Sequence, residues 1–106
     1  MSFQVVVAEP AERQLRAIDA WWRLHRSAAT DLFAEELATA IETLATHPGV
    51  GARVRSGRVP ALRRILLRAT RYHVYYVATE HVVCVLAVWS AVRGSGPPIS
   101  ELAPPA

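Results

Sequence analysis

Arginine is the residue type in this sequence best suited to binding a partner, and most of it lies in the second half of the chain. All twelve basic residues are Arg and none is Lys, so each carries a permanent charge on a planar group that can grip an anion. Residues 53–106 carry eight Arg against Glu80 and Glu101, a net charge of +6, whereas residues 1–52 carry four Arg against seven acids, a net charge of −3. This asymmetry predicts an anionic partner, either a nucleic acid or an acidic protein segment.

Three of these arginines are placed so that they can converge. Arg64 lies in an apolar run, Arg71 precedes the next run, and Arg93 follows the third. Two or three guanidinium groups beside an aromatic ring or an imidazole would suit an RNA backbone with stacked bases, or an acidic peptide. For any single arginine, exposure on the surface is the simpler interpretation, and the prediction concerns the group. The residues predicted to bind the partner are Arg64, Arg71, Trp89 and Arg93.

Other kinds of active site find little support in the sequence. The four His residues have no paired spacing and the lone Cys84 lies in the most apolar run, so we predict neither a metal site nor a cofactor. A hydrolytic triad needs a His oriented by an acid, and the basic half offers only Glu80 in a tight turn and Glu101 near the end. A single cysteine excludes a disulfide framework and indicates a reducing compartment.

Length and composition indicate one folded domain. A chain of 106 residues has room for one core, and 52% hydrophobic residues are enough to order it. The run Phe3–Ala8 follows no positive segment and is too short for a signal peptide, and the run Val82–Trp89 is far short of the ~20 residues of a membrane helix. We therefore expect a cytoplasmic protein without a membrane partner, with a domain over residues 1–93 and a Pro/Gly-rich tail over residues 94–106.

The spacing of apolar residues changes along the chain and predicts an α+β fold. A short β-branched strand is followed by two stretches with steps of three and four, which are typical of helices and predict an antiparallel helix hairpin. Three apolar runs separated by short turns then predict a three-stranded antiparallel meander. The predicted elements are Phe3–Ala8, Pro10 to about His25, a second helix from Ser27 as N-cap to just before Pro48, then about Leu62–Leu67, Tyr72–Ala78 and Val82–Val92, with a loop over Pro48–Pro60 and an irregular tail after Arg93.

Two features of these elements bear on partners. The run 82–92 is apolar on both sides, which is typical of a strand covered on both faces. We expect a helix on one face, and a partner or the N-terminal strand on the other. Trp21 and Trp22 are adjacent, so one should face the sheet and the other should lie at a boundary where a partner docks, although packing at the rim is the simpler interpretation for both.

Three short segments, in this order, carry a resemblance to a known family. They are Leu44 with His47-Pro48 and Gly51, the block from Arg64 to Tyr76, and the ending Val88-Trp89 to Arg93-Gly94. With the predicted order of elements, they resemble the ParE/RelE superfamily of toxins from type II toxin–antitoxin systems, also called plasmid stabilisation proteins. The resemblance covers about residues 3–98. It implies a β-α-α-β-β-β fold and a small intracellular toxin, neutralised by an antitoxin that is encoded beside it and wraps it with a C-terminal segment.

Members of this superfamily act in two ways, and the sequence favours one of them. RelE-like members cut mRNA in the ribosome with Lys, Arg, Tyr, or a Glu/His pair as acid and base, whereas ParE-like members poison DNA gyrase and lack such a set. This sequence has no Lys, no acid in the loop after the second helix, and Ser90 where relatives often carry His. Arg is a poor proton carrier because it stays protonated. The resemblance therefore implies a ParE-like gyrase inhibitor without catalytic residues.

Two alternatives stay open. A RelE-like, ribosome-dependent mRNA endonuclease would use Arg64, Arg71, His73 and Arg93, with His73 as the one candidate for proton transfer. A non-toxic module that only binds the antitoxin is the other alternative. In each case the resemblance implies a heteromeric complex with a ParD-like antitoxin, of the ribbon-helix-helix type or similar. The residues predicted to bind this antitoxin are Trp21, Trp22 and Tyr75.

Overall fold

Two consecutive helices lie against one face of a five-stranded sheet in the computed structural model, which describes residues 2–92. The elements are β1 (Gln4–Val7), α1 (Glu9–His25), α2 (Leu32–Thr46), β2 (Ala52–Arg53), β3 (Arg63–Leu67), β4 (Tyr72–Ala78) and β5 (Val82–Ser90). The predicted α+β fold is confirmed, including the strand, the two helices and the meander. Arg93 and the predicted tail lie outside the described residues. No helix within residues 2–92 is long and apolar enough to cross a membrane.

The sheet has the strand order β1-β5-β4-β3-β2. The meander β3-β4-β5 is antiparallel, as predicted, and β1 joins it in parallel alongside β5, from Gln4 opposite Val82 to Val7 opposite Val85. β5 continues to Ser90, whereas β1 ends at Val7. Beyond that point α1 lies along β5, and the Gln14 side chain accepts a hydrogen bond from the Val88 amide at 2.8 Å.

Strand β2 was not predicted. The composition of residues 48–60 indicates a loop, and most of that segment is irregular, but Ala52 and Arg53 pair with Arg64 and Arg63 of β3. A strand of only two residues is too short to show an alternation that a sequence pattern can detect. The pairing is a consequence of where the loop must pass to reach β3.

Helix α1 follows the predicted stripe. It begins at Glu9 with Pro10 in its first turn, where the missing amide of proline costs no hydrogen bond. Ala11 is fully buried, and the residues that follow it in steps of three and four, Leu15, Ile18 and Trp22, pack against the same core. The helix ends at His25, as expected.

Helix α2 begins later than the sequence suggested. Ser27 was expected to be its N-cap, but the helix starts at Leu32 after Asp31, and no side chain caps it. Backbone hydrogen bonds from Ala29 to Arg26 (2.9 Å) and from Leu32 to Ala29 (3.2 Å) form two successive turns instead. The prediction was wrong because the chain needs these turns to reverse direction after α1.

The sheet separates two hydrophobic cores. The first core lies between the helices and the sheet and is built by Ala11, Phe33, Ala40, Leu44, Leu67, Val74, Tyr76, Val83, Val85 and Val88. The second core lies on the opposite face and is built by Val59, Leu62, Tyr75, Val77, Leu86 and Ala87. Residues 54–62 therefore cover the face for which we had expected a partner or the N-terminal strand. Val59, in the middle of this irregular segment, is 1% exposed.

A β-bulge interrupts the pairing of the two central strands. Tyr75 lies opposite Ala87, but Tyr76 lies opposite Val85, so Leu86 has no partner residue in β4. Leu86 and Ala87 consequently both contribute to the second core. β5 also ends two residues earlier than expected, at Ser90.

Candidate functional site

The sheet register brings several of the predicted residues to one face. Arg64 lies opposite Tyr75, and His73 lies opposite Trp89 in the neighbouring strand. Residues directly opposite one another in an antiparallel pair point to the same side of the sheet. Arg64, His73, Tyr75 and Trp89 therefore share the face of the second core, at the edge of the part that residues 54–62 cover.

The contacts within this group are direct. A guanidinium nitrogen of Arg64 donates to the Tyr75 hydroxyl at 3.4 Å. The rings of His73 and Tyr75 lie edge to face, with centroids 6.0 Å apart. Tyr75 is buried, with 2% of its surface exposed, whereas Arg64 is exposed. The hydrogen bond therefore joins an exposed guanidinium to a buried side chain of the second core.

Arg71 reaches the same place from the turn between β3 and β4. It adopts a left-handed backbone conformation with φ 67°, which is uncommon for a residue other than glycine. Its amide donates to the Leu67 carbonyl and its carbonyl accepts from the Ala91 amide, both at 2.8 Å. Arg71 is exposed and lies two residues before His73.

The imidazole of His73 responds to both arginines. Partial burial lowers its pKa from the ordinary value of 6.5, and the charges of Arg64 and Arg71 lower it further. Burial and the two permanent positive charges therefore all favour the neutral form of the His73 imidazole. Within residues 2–92 no carboxylate contributes to the shift. Within residues 2–92 no group of three or more His, Cys, Asp or Glu side chains is arranged to hold a metal ion.

The structure adds Arg68 to the set. A pocket of about 390 Å³ on this side of the sheet is lined by Arg64, Leu66, Arg68 and His73, together with the loop at Gly51. Arg68, which directly follows β3, was not among the residues predicted to bind the partner, although the alternation 64, 66, 68 places it on the same side as Arg64. We call Arg64, Arg68, Arg71 and His73 the basic face. Arg93, the remaining predicted arginine, lies outside the described residues.

The two tryptophans of α1 have different environments, although packing at the rim had been the simpler interpretation for both. Trp22 packs against the first core, and its indole nitrogen donates to the Tyr72 hydroxyl at 3.3 Å. Trp21 is 42% exposed and stacks on His25 with ring centroids 4.8 Å apart. The guanidinium of Arg26 lies over both indole rings, at 5.6 and 5.7 Å.

Tyr75 does not belong to the same surface as these tryptophans. It lies in the second core, whereas α1 lies on the side of the first core. Trp21, by contrast, lines a groove of about 410 Å³ between α1 and the end of β5, together with Ile18, Tyr72 and Val88. That an antitoxin contacts Trp21, Trp22 or Tyr75 stays a prediction.

Comparison with known proteins identifies the fold and the family. The model of the family described as "ParE toxin of type II toxin-antitoxin system, parDE" matches residues 5–93. A structure of the chromosomal ParDE toxin–antitoxin system from P. aeruginosa is similar, with a TM-score of 0.66 and 17% identity over 83% of this chain and 95% of the other. The E. coli toxin RelE, as a mutant in the free state, has a TM-score of 0.56 and 24% identity over 87% of this chain and 86% of its own. No curated protein matches the sequence significantly.

Proposed function

Because the chain belongs to the ParE toxin family of type II toxin–antitoxin systems, we propose that it inhibits DNA gyrase in the cytoplasm and is held inactive by a cognate antitoxin. The basic face is the surface that contacts the target. It works by binding an anionic or polar partner, without proton transfer.

One observation carries the choice of a binding mechanism. Burial and the charges of Arg64 and Arg71 lower the pKa of His73 and so favour its neutral form, and no carboxylate within residues 2–92 contributes to that shift. General acid–base catalysis needs one group that gives a proton and one that takes it, each with a pKa near the working pH. The guanidinium groups cannot serve as either, because they stay protonated.

Gyrase inhibition is tested with purified protein and purified gyrase. We expect the protein to reduce supercoiling of relaxed plasmid, or to trap cleaved DNA, at a modest molar excess over gyrase. A variant with Arg64→Ala and Arg71→Ala should lose most of this effect, whereas Arg13→Ala, on the exposed side of α1, should keep it. Unimpaired supercoiling at high excess of the unmodified protein would refute the proposed target.

The antitoxin is a small acidic partner encoded beside this protein. It is of the ParD-like, ribbon-helix-helix type or similar, and its apolar residues occupy the groove between α1 and β5, next to the exposed Trp21. Its acids complement the positive charge of the chain, including Arg26 above the tryptophans. Co-expression with the neighbouring gene should restore growth and yield a stable complex in size-exclusion chromatography.

A ribosome-dependent mRNA endonuclease is the second candidate, and one observation favours it. A neutral imidazole flanked by two guanidinium groups is able to accept the proton of a ribose 2′-hydroxyl while the arginines bind the phosphate. Primer extension on translated mRNA would then reveal cuts that disappear with His73→Ala. An absence of cuts, together with gyrase inhibition that survives His73→Ala, would remove this candidate.

A further inference from the structure

Glu36 on α2 makes an unusual set of contacts with the turn between β3 and β4. Its carboxylate accepts hydrogen bonds from the Ala69 amide at 2.7 Å, the Thr70 amide at 3.0 Å and the Thr70 hydroxyl at 2.6 Å. Thr70 is only 7% exposed, so water cannot readily replace the carboxylate. Partial burial would raise the pKa of Glu36, but the bonds from Thr70 and Ala69 outweigh it and hold the pKa below its ordinary value of 4.5.

The same turn presents Arg71. Arg71, directly after Thr70, adopts a left-handed backbone conformation with φ 67°. Residues other than glycine adopt this conformation at a cost and keep it where the surrounding contacts hold it. Three of the bonds that hold this turn come from Glu36, and a fourth joins the Arg71 amide to Leu67. The Arg71 carbonyl in turn binds the Ala91 amide, so the turn also fixes the end of β5.

We propose that Glu36 is a positioning residue for the basic face: from the opposite side of the sheet it holds the turn 68–71 so that the Arg71 guanidinium stands beside His73. The proposal rests on the proposed function only in treating the basic face as the binding surface. Glu36 itself contacts no target.

The direction in which the pKa of His73 changes when Glu36 is substituted separates this role from a merely structural one. Removing the negative charge of Glu36 can only lower the pKa of nearby bases, because a carboxylate stabilises a protonated imidazole. If Glu36 holds Arg71 in place, its loss moves a positive charge away from His73, and the pKa of His73 rises instead. A rise is therefore the signature of positioning.

The experiment is an NMR titration of the His73 side chain in the full-length protein. We expect the His73 pKa to rise in Arg71→Ala and in Glu36→Ala, with no further rise when both substitutions are combined. Glu36→Gln, which keeps one carbonyl oxygen able to accept from the turn, should give an intermediate value. Glu42→Ala is the matched control, since Glu42 is an exposed acid on the same helix, and it should leave the His73 pKa unchanged.

An unchanged or lowered His73 pKa in Glu36→Gln, with a folded spectrum, would overturn the proposal. Should Glu36→Ala fail to fold, Glu36→Gln and Thr70→Val still decide the matter, because each removes only part of the contact. Toxicity is a second readout: Glu36→Gln should weaken growth inhibition severalfold more than Glu42→Ala. Since the titration does not depend on gyrase, a failure of the proposed target and a failure of the positioning role give different results.

Discussion

The hydroxyl of Tyr76, in the first core, accepts a hydrogen bond from the amide of Gly51 at 2.9 Å. The same hydroxyl donates to the Pro48 carbonyl at 2.7 Å, and Arg63 donates to the Gly51 carbonyl at 2.7 Å. The Tyr76 side chain thus links the loop after α2 to the central strand β4 through two hydrogen bonds. This junction sets where β2 begins, and therefore how the following segment covers the second core.

The close approach at Gly51 predicts that no larger residue fits there. A Cβ atom at this position would lie 2.6 Å from the Tyr76 hydroxyl oxygen and 2.8 Å from the Arg64 carbonyl oxygen. Because the second of these atoms belongs to the backbone, Gly51→Ala should destabilise the protein by about 1–3 kcal/mol, as overpacking does. Gly49→Ala is the control, since nothing lies within 4 Å of its Cβ position. Equal midpoints of urea unfolding for the two variants would contradict the expectation.

The basic face predicts a difference between two exposed arginines. Arg64→Ala removes a charge beside His73 and should raise the concentration needed for gyrase inhibition about tenfold, the loss expected for one charge-assisted contact. Arg13→Ala removes an exposed arginine whose ion pair with Glu9 lies on α1, and such surface pairs contribute little. Dose–response curves for plasmid supercoiling provide the measurement. Identical curves would place the target-binding surface elsewhere.

The lowered pKa of Glu36 predicts how stability depends on pH. The folded state holds this carboxylate ionised to lower pH than the unfolded chain does, so the unfolded state binds more protons in that range. The contribution of Glu36 to stability is thus complete above the ordinary pKa of 4.5 and is lost as the pH falls through the lower, folded value. The stability difference between the unmodified protein and Glu36→Gln should shrink accordingly below pH 4.5. Urea titrations at a series of pH values measure it, and a difference that grows on acidification would show the sign to be wrong.

Substitutions of the two adjacent tryptophans should have different effects: Trp22→Ala should mainly lower stability, and Trp21→Ala should mainly lower the affinity for the antitoxin. Trp22→Ala removes an indole that packs on the first core and should cost about 3 kcal/mol, the lower end for a large aromatic side chain. Trp21→Ala should change stability by less than about 1 kcal/mol, because this ring is substantially exposed. Calorimetry with the neighbouring antitoxin should show the larger loss of affinity for Trp21→Ala, provided both variants are folded. A Trp21→Ala variant with undiminished affinity would remove Trp21 from the antitoxin surface.

The elements that a sequence pattern specifies are those with enough residues to display a period. The stripe from Ala11 to Trp22 and the runs of β3, β4 and β5 were predicted within a few residues because apolar spacing repeats along them. The start of α2 and the strand β2 were missed, since both depend on how the chain turns in space. The second core was missed for a similar reason: Val54, Val59 and Leu62 are isolated apolar residues without a repeating spacing, in a segment rich in Gly, Pro and Arg.

The candidate site was partly accessible by the same reasoning. The alternation of side chains along a strand is enough to place His73 and Tyr75 on one face of β4 and Val74 and Tyr76 on the other, as the structure has them. It could not reveal that Glu36, which lies on α2 and is distant in sequence from β3 and β4, accepts hydrogen bonds from the turn beside Arg71. Long-range polar contacts of this kind leave no periodic signature, because each involves one residue from each element.

The bulge at Leu86 determines which side chains of β5 point toward the basic face. Side chains alternate between the two faces of a regular strand. Without the bulge, residue 89 would therefore point toward the helices, as Val83 does, and residue 88 would point toward the opposite face. The bulge inverts this parity, so that Val88 fills the space beneath α1 and the Trp89 indole comes to stand across from His73. Deleting Leu86 and inserting a leucine directly before Val88 would keep the composition of the strand. It would, however, place the Val88 side chain at the basic face where the Trp89 indole now lies.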